Sequence, residues 1–383
     1  GLMYGKALEG NFMPNVDAYP IPFAPAMRKN GKARLVYEFD AANIPEAPLY
    51  PAMARTFRTA GIQIGTHFSW DPGFLAYANT EYNTHYMNLA YTPQKALGLM
   101  LAGEVFHRVP LYKNYGHYPH NRNFEGFHLD ENSGLAELIA DDRFIYTANT
   151  ESVPENQETL RLLAGWGNSP LVQYSGLGAY FLDKIAPGKW RLEVMPDPVI
   201  IRDPYGRNSP ERSVALTNWT EHRMSLYLED LGNNFSIRAL NEGNDFSSSA
   251  IEGHFSIRPG TYLLLEDGTE AGQLPPTIRN IGLSDFWAPP QSLDQTLVIH
   301  KTPNDGDTAS ELRIRATVVS NEEIAEVYIH NAPGYGWQKL PMERIDAQTF
   351  EALIPAEKLE PGIYDYQIVV KTSGGYVSFP GAN

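Results

Sequence analysis

The chain has 383 residues, and its 30 Lys+Arg against 45 Asp+Glu give a formal net charge of −15. That balance argues against a nucleic-acid binder, because neutralising phosphates needs a clustered basic face. Cysteine is absent, which excludes disulfides, zinc–thiolate centres and cysteine nucleophiles, and no run of about 18 apolar residues encodes a membrane span.

Predicted elements follow in chain order. The start, Gly1 to Lys6, lacks the charged and apolar regions of a signal peptide, so any export signal has been removed or lies outside this chain. Arg34-Leu35-Val36-Tyr37-Glu38-Phe39 reads as a short buried strand, rich in β-branched and aromatic residues. Tyr50, Met53, Ala54 and Phe57 fall at i, i+3, i+4 and i+7, which predicts a helix with one apolar face, stopped at Gly61. Ile62 to Trp70 is a second strand, closed by Asp71-Pro72-Gly73. Thr92 as N-cap and Pro93 at the first helical position start another helix, which runs to about His107 before Pro110. The order strand, helix, strand, loop, helix describes a piece of an α/β layer with parallel strands.

Beyond Pro110 the pattern becomes β throughout. Short strands such as 143–147, 171–174, 190–194, 213–216, 225–228 and 261–265 alternate with turn clusters, the spacing of an antiparallel sandwich. A Pro-rich joint at Trp287-Ala288-Pro289-Pro290 precedes a final set of about seven strands, which suggests an immunoglobulin-like domain. The expected divisions are therefore 1–110, 111–285 and 286–383. With 29 Pro and 32 Gly, the composition agrees with many short strands and loops.

Two strand ends carry the functional expectation. Glu38 closes the first strand, where a buried carboxylate is costly unless paired or used. In a (β/α)8 barrel this is the end where active-site residues collect. Trp70 closes the second strand and could form the floor of a sugar site. His67, three residues earlier, should face the other way unless a bulge intervenes.

Together, Val36-Tyr37-Glu38-Phe39, His67-Phe68-Ser69-Trp70 and the segment Glu81 to Pro93 resemble the last two strands, final loop and final helix of a clan-A glycoside hydrolase barrel. The wording is similar to that of agarase-like and other bacterial polysaccharidases, whose barrels are followed by β-sandwiches. The resemblance implies the C-terminal part of a (β/α)8 TIM barrel (strands seven and eight) followed by two antiparallel β-sandwich domains. It implies a retaining hydrolase of a β-linked plant or algal polysaccharide, such as a β-galactan, with Glu38 as nucleophile. Trp70 would stack on the sugar, and Tyr37, His67, Tyr82, His85 and Tyr86 would shape the pocket. No cofactor is implied, and the expected location is secreted, periplasmic or cell-surface.

The clan's acid/base glutamate follows an Asn at the end of strand four. Asn241-Glu242 and Asn321-Glu322 instead fall in β-rich regions. The acid/base is thus expected on a missing N-terminal barrel segment, itself an expected partner. The alternative is a non-catalytic carbohydrate-binding or spacer module. A third reading, an adhesion protein of β-domains, leaves the strand–helix start unexplained.

Other features read as structural. His107 is a lone histidine, and His117 and His120 lack a third ligand, so no metal site is expected. Asp130-Glu131-Asn132 and Asn304-Asp305-Gly306-Asp307 lack the further spaced carboxylates of a calcium loop. Asn218-Trp219-Thr220 fits the glycosylation sequon, which matters only in a eukaryotic secretory host, and Tyr4-Gly5-Lys6 could line a cleft.

Overall fold

The computed structural model describes residues 6–17, 23–79, 84–206, 209–303, 308–331 and 338–381. The chain divides into two compact units, Gly1–Pro290 and Gln291–Asn383.

The first unit opens with two short helices, α1 (Met13–Asp17) and α2 (Ala24–Lys29), then strand β1 (Leu35–Phe39). Helix α3 (Leu49–Thr59) follows and ends where Gly61 takes a left-handed φ of 79°. Strand β2 (Ile64–His67) then pairs with β1 in parallel, Leu35 opposite Ile64 and Val36 opposite Gly65. Helix α4 (Pro93–Arg108) starts at Thr92, whose hydroxyl accepts from Asn88 N–H at 2.8 Å and so fixes the entry turn. Among the described residues the β1–β2 pair stands alone as a two-stranded sheet, and Leu35, Tyr37 and Ile64 on it are exposed.

The centre of this unit is a ten-stranded sheet. From one edge its strands are Ser247–Ala250, Phe235–Ala239, Gly260–Glu266, Lys189–Val194 and Tyr180–Ala186, then Leu162–Gly165, Arg143–Tyr146, Leu135–Ala140, Phe127–Asp130 and Asn123–Phe124. All neighbours are antiparallel except Arg143–Tyr146 against Leu162–Gly165. Both faces of its central strands are largely buried, and strand alternation sorts the side chains between them. Ile145, Leu162 and Ala164 belong to the cluster that also holds Tyr50, Phe57, Leu97 and Leu101 of the helices. Phe144, Tyr146 and Leu163 point the other way, into a cluster with Val172, Met224 and Phe255. Those last residues come from a three-stranded sheet of Val172–Tyr174, His222–Leu226 and His254–Ile257 that covers the second face. Trp190, fully buried there, donates its indole N–H to Asp230 at 3.0 Å, so its large apolar area is buried without an orphaned donor. Burying about 150–250 Å² of such a ring is worth roughly 4–6 kcal/mol at about 25 cal/mol per Å².

The expectation of part of a TIM barrel followed by two β-sandwiches is corrected by this arrangement. The described residues are mostly strand, grouped in a large central sheet and several small separate ones, and they contain no barrel. The physical reason is where the helices spend their apolar faces. Helices α3 and α4 pack on each other, and α4 packs on the antiparallel strands Leu135–Ala140 and Arg143–Tyr146. They do not cover a run of parallel strands.

Among the described residues the second unit has two four-stranded sheets. One runs Leu297–Ile299, Leu312–Val319, Thr349–Ile354, Glu343–Arg344; the other runs Gln338–Pro341, Ile324–Asn331, Tyr366–Thr372, Gly375–Phe379. Ile314, Ala316 and Val318 point inward while Arg313 and Arg315 point out, and with Val327, Ile329, Ile368 and Val370 they form this unit's own core. The candidate calcium loop Asn304 to Asp307 lies outside the described residues. No helix among the described residues is long and apolar enough to cross a membrane.

Candidate active site

The site sits at the C-terminal ends of β1 and β2. Pairing slips between Val36 and Phe39, where Phe39 rather than Glu38 comes opposite His67. Within this bulge Glu38 has a φ of 62°, a left-handed conformation that costs a non-glycine residue about 1–2 kcal/mol. Its backbone N–H donates to Thr66 Oγ1 at 3.0 Å, which holds the bulge in place. Bulges re-aim side chains. Here Glu38 is turned out to solvent while Phe39 goes into the core, edge-on to Phe57 at 5.5 Å. The Tyr37 side chain, 76% exposed, lies beside Glu38, and a hydrogen bond to that carboxylate pushes the phenol pKa up.

Beneath the surface, Asp40 gathers a polar cluster. Its carboxylate, 3% exposed, accepts from the Tyr50 hydroxyl at 2.5 Å, from His67 Nε2 at 3.1 Å and from His85 Nδ1 at 2.5 Å. Burial alone would raise its pKa. The hydrogen bonds from His67 and His85, the Lys95 charge and the Tyr50 hydrogen bond overcome this and hold the carboxyl well below the usual carboxylate range. Lys95, buried on the first turn of α4, donates to the Tyr86 carbonyl at 2.9 Å. Burial lowers its pKa, opposed by the charges of Asp40, Asp71 and Glu46.

The sequence-predicted residues separate into two levels. Glu38, Tyr37 and Trp70 (47% exposed) reach the surface. His67 and His85 lie below, engaged by Asp40, and the His85 ring is edge-on to Phe68 at 5.1 Å. Tyr86 is buried, and burial pushes its pKa well above the ordinary value. Tyr82 lies outside the described residues, as does Tyr4-Gly5. A groove of about 480 Å³ runs beside Glu38 and Asp40, walled by apolar Phe12, Met53 and Phe57; Trp70 is not part of its lining.

Sequence reasoning took Tyr50 as an apolar helix residue and passed over Lys95. The signal for Lys95 was its position: it shares the buried face of α4 with Gly98, Ala102 and Val105, at spacings of three, seven and ten, where a cation needs a buried counter-charge.

Chemically, the arrangement presents an accessible carboxylate, Glu38, on a strained turn. Asp40 is held ionised, so it orients the two histidines and has no proton to give. Among the described residues no group of three or more His, Asp or Glu is placed to hold a metal ion. Compared with known protein families, with curated proteins and with solved structures, the chain matches none of them.

Proposed function

We propose that the chain acts on a β-linked polysaccharide as a retaining glycoside hydrolase, with Glu38 as the nucleophile. The observation that carries this reading is the conformation of Glu38: an exposed carboxylate kept at a positive φ by a bulge, at the end of a parallel strand. Strain of this kind persists where the surroundings over-determine it, and it concentrates at functional sites.

In the proposed reaction a Glu38 carboxylate oxygen attacks the anomeric carbon. The glycosidic C–O bond breaks, and the leaving oxygen takes a proton from a second carboxyl group about 5–5.5 Å away. Water then cleaves the glycosyl ester and returns its proton to that same group. Asp40, two residues from Glu38, cannot be the donor because it stays ionised. Trp70 offers an indole face to the sugar. A polymeric substrate of this kind puts the protein outside the cytoplasm, whether secreted, periplasmic or on the cell surface.

The test is Glu38→Gln, assayed for reducing ends on neutral β-galactans and β-glucans. Activity on the substrate that wild type cleaves should fall roughly 10³-fold or more, about 4 kcal/mol of lost transition-state stabilisation. A variant within tenfold of wild type would remove Glu38 from the chemistry. The second reading, a non-catalytic carbohydrate-binding module, draws on the exposure of Trp70 and Phe74. It predicts that wild type binds polysaccharide and cleaves none.

A further inference from the structure

A second pocket, of about 760 Å³, lies in the first unit between the loop Asn241 to Phe246 and the segment Ser284 to Ala288. Its volume is within the range of ligand sites, about 300–1,000 Å³. We infer that this pocket binds a neutral oligosaccharide stretch of the polymer on which the chain acts, with Trp287 as the stacking platform. The inference rests on the reading that the chain handles a saccharide, and it adds the substrate's charge class.

Trp287 is 58% exposed, yet the segment that carries it is fixed on both sides. Before it, the Asp285 carbonyl accepts from Arg191 at 2.8 Å and from Thr261 Oγ1 at 3.2 Å. After it, the Pro289 carbonyl accepts from Trp219 Nε1 at 3.0 Å, and the Pro290 carbonyl from Thr217 Oγ1 at 2.6 Å. The Trp219 ring meets Phe286 edge-on at 5.9 Å. A large apolar side chain more than half exposed on so constrained a backbone is pre-organised for a flat apolar partner. The C–H face of a pyranose is such a partner, and its hydroxyls need hydrogen-bonding groups at the rim.

The pocket supplies them. Asn241 and Asn244 form one wall, linked by Asn244 Nδ2 donating to Asn241 Oδ1 at 3.0 Å, and Asn241 Oδ1 also accepts from Thr261 N–H at 2.8 Å. Glu242 and Asp245 add acceptors, with no ion pair among the described residues. Arg258 lies over the Phe246 ring at 5.4 Å and is already paired with Glu221 at 3.1 Å. The local balance is therefore negative, which disfavours sulfated or uronic chains and suits neutral ones. Position favours the same polymer: a Cβ on Gly73 would stand 2.0 Å from the Trp287 indole, so that ring lies directly on the turn three residues after Trp70.

Affinity electrophoresis of the full chain tests this, through gels of a neutral β-galactan, a neutral β-glucan and a sulfated galactan. One neutral gel should retard wild type, and the sulfated gel should not. Trp287→Ala should weaken retention about tenfold or more, Trp287→Phe should restore most of it, and Asp245→Ala should weaken it several-fold. Thermal melts check that each variant is folded. A folded Trp287→Ala retained like wild type, or stronger retention by the sulfated polymer, overturns the inference. The catalytic reading is separated by Glu38→Gln, which should lose hydrolysis while being retained like wild type. If wild type is retained through Trp287 but Glu38→Gln keeps full activity, the assignment of Glu38 fails and the pocket stands. If Glu38→Gln is inactive but no neutral polymer retains wild type, the pocket fails and the assignment of Glu38 stands.

Discussion

Replacing Asp40 by Asn tests whether the buried cluster stabilises the first unit. The change keeps the shape and removes the charge. Three hydrogen bonds then lose their anionic acceptor, from Tyr50, His67 and His85, and the buried Lys95 loses one of its counter-charges. Removing one partner from a buried charged set costs about 3–5 kcal/mol. With an unfolding entropy of about 2.1 cal/mol/K per residue, a unit as long as Gly1–Pro290 shifts by roughly 1.6 °C per kcal/mol, so its melting temperature should drop by about 5–8 °C. The pH dependence has a definite sign. The folded-state pKa of Asp40 lies below its unfolded value of about 3.9, so its contribution is fully present above that pH. It fades as pH falls through the folded value, so the stability difference between wild type and variant should shrink in acid below about pH 4. Calorimetry on both proteins across this range measures it. A loss under about 1 kcal/mol at neutral pH, or a difference that grows in acid, would refute the argument.

Two further outcomes follow from the same structure. Glu38→Gly should stabilise the first unit by up to about 1 kcal/mol, because glycine accepts the left-handed φ without strain and its greater unfolded entropy offsets only part of the gain. Urea titration reads this, and a destabilised Glu38→Gly would show that the carboxylate contributes more than its backbone costs. Ile329→Ala, in the closed core of the second unit, should cost about 2–5 kcal/mol. In calorimetry it should shift the transition of Gln291–Asn383 and leave that of Gly1–Pro290 in place; a shift of both transitions together would mean the units unfold as one.

Local elements were legible where a short-range pattern determines them. The apolar spacing Tyr50, Met53, Ala54, Phe57 and the stop at Gly61 correspond to the helix Leu49–Thr59, and Thr92-Pro93 marks the true start of α4. The destination of those apolar faces was not legible. A helix face has the same period whether it covers parallel strands of a barrel or, as here, the antiparallel strands at 135–146, and that choice is set by contacts far apart in sequence. The site divides in the same way. A carboxylate at a strand end could be read at Glu38, but the bulge that turns it outward depends on the pairing partner Thr66. Tyr50 contributes its ring to the helix face and its hydroxyl to Asp40, and apolar periodicity records only the ring.

The lone β1–β2 pair has a colloidal consequence. Each strand has one partner among the described residues, so each leaves a row of backbone donors and acceptors open beside the exposed side chains of Leu35, Tyr37 and Ile64. Such an edge is a template for any extended segment that meets it. The protein's charge of −15 keeps copies apart at long range, with a reach of about 10 Å at 0.1 M salt and about 3 Å at 1 M. High salt therefore removes the barrier that holds this edge away from other chains, and concentrated stocks keep best at low ionic strength.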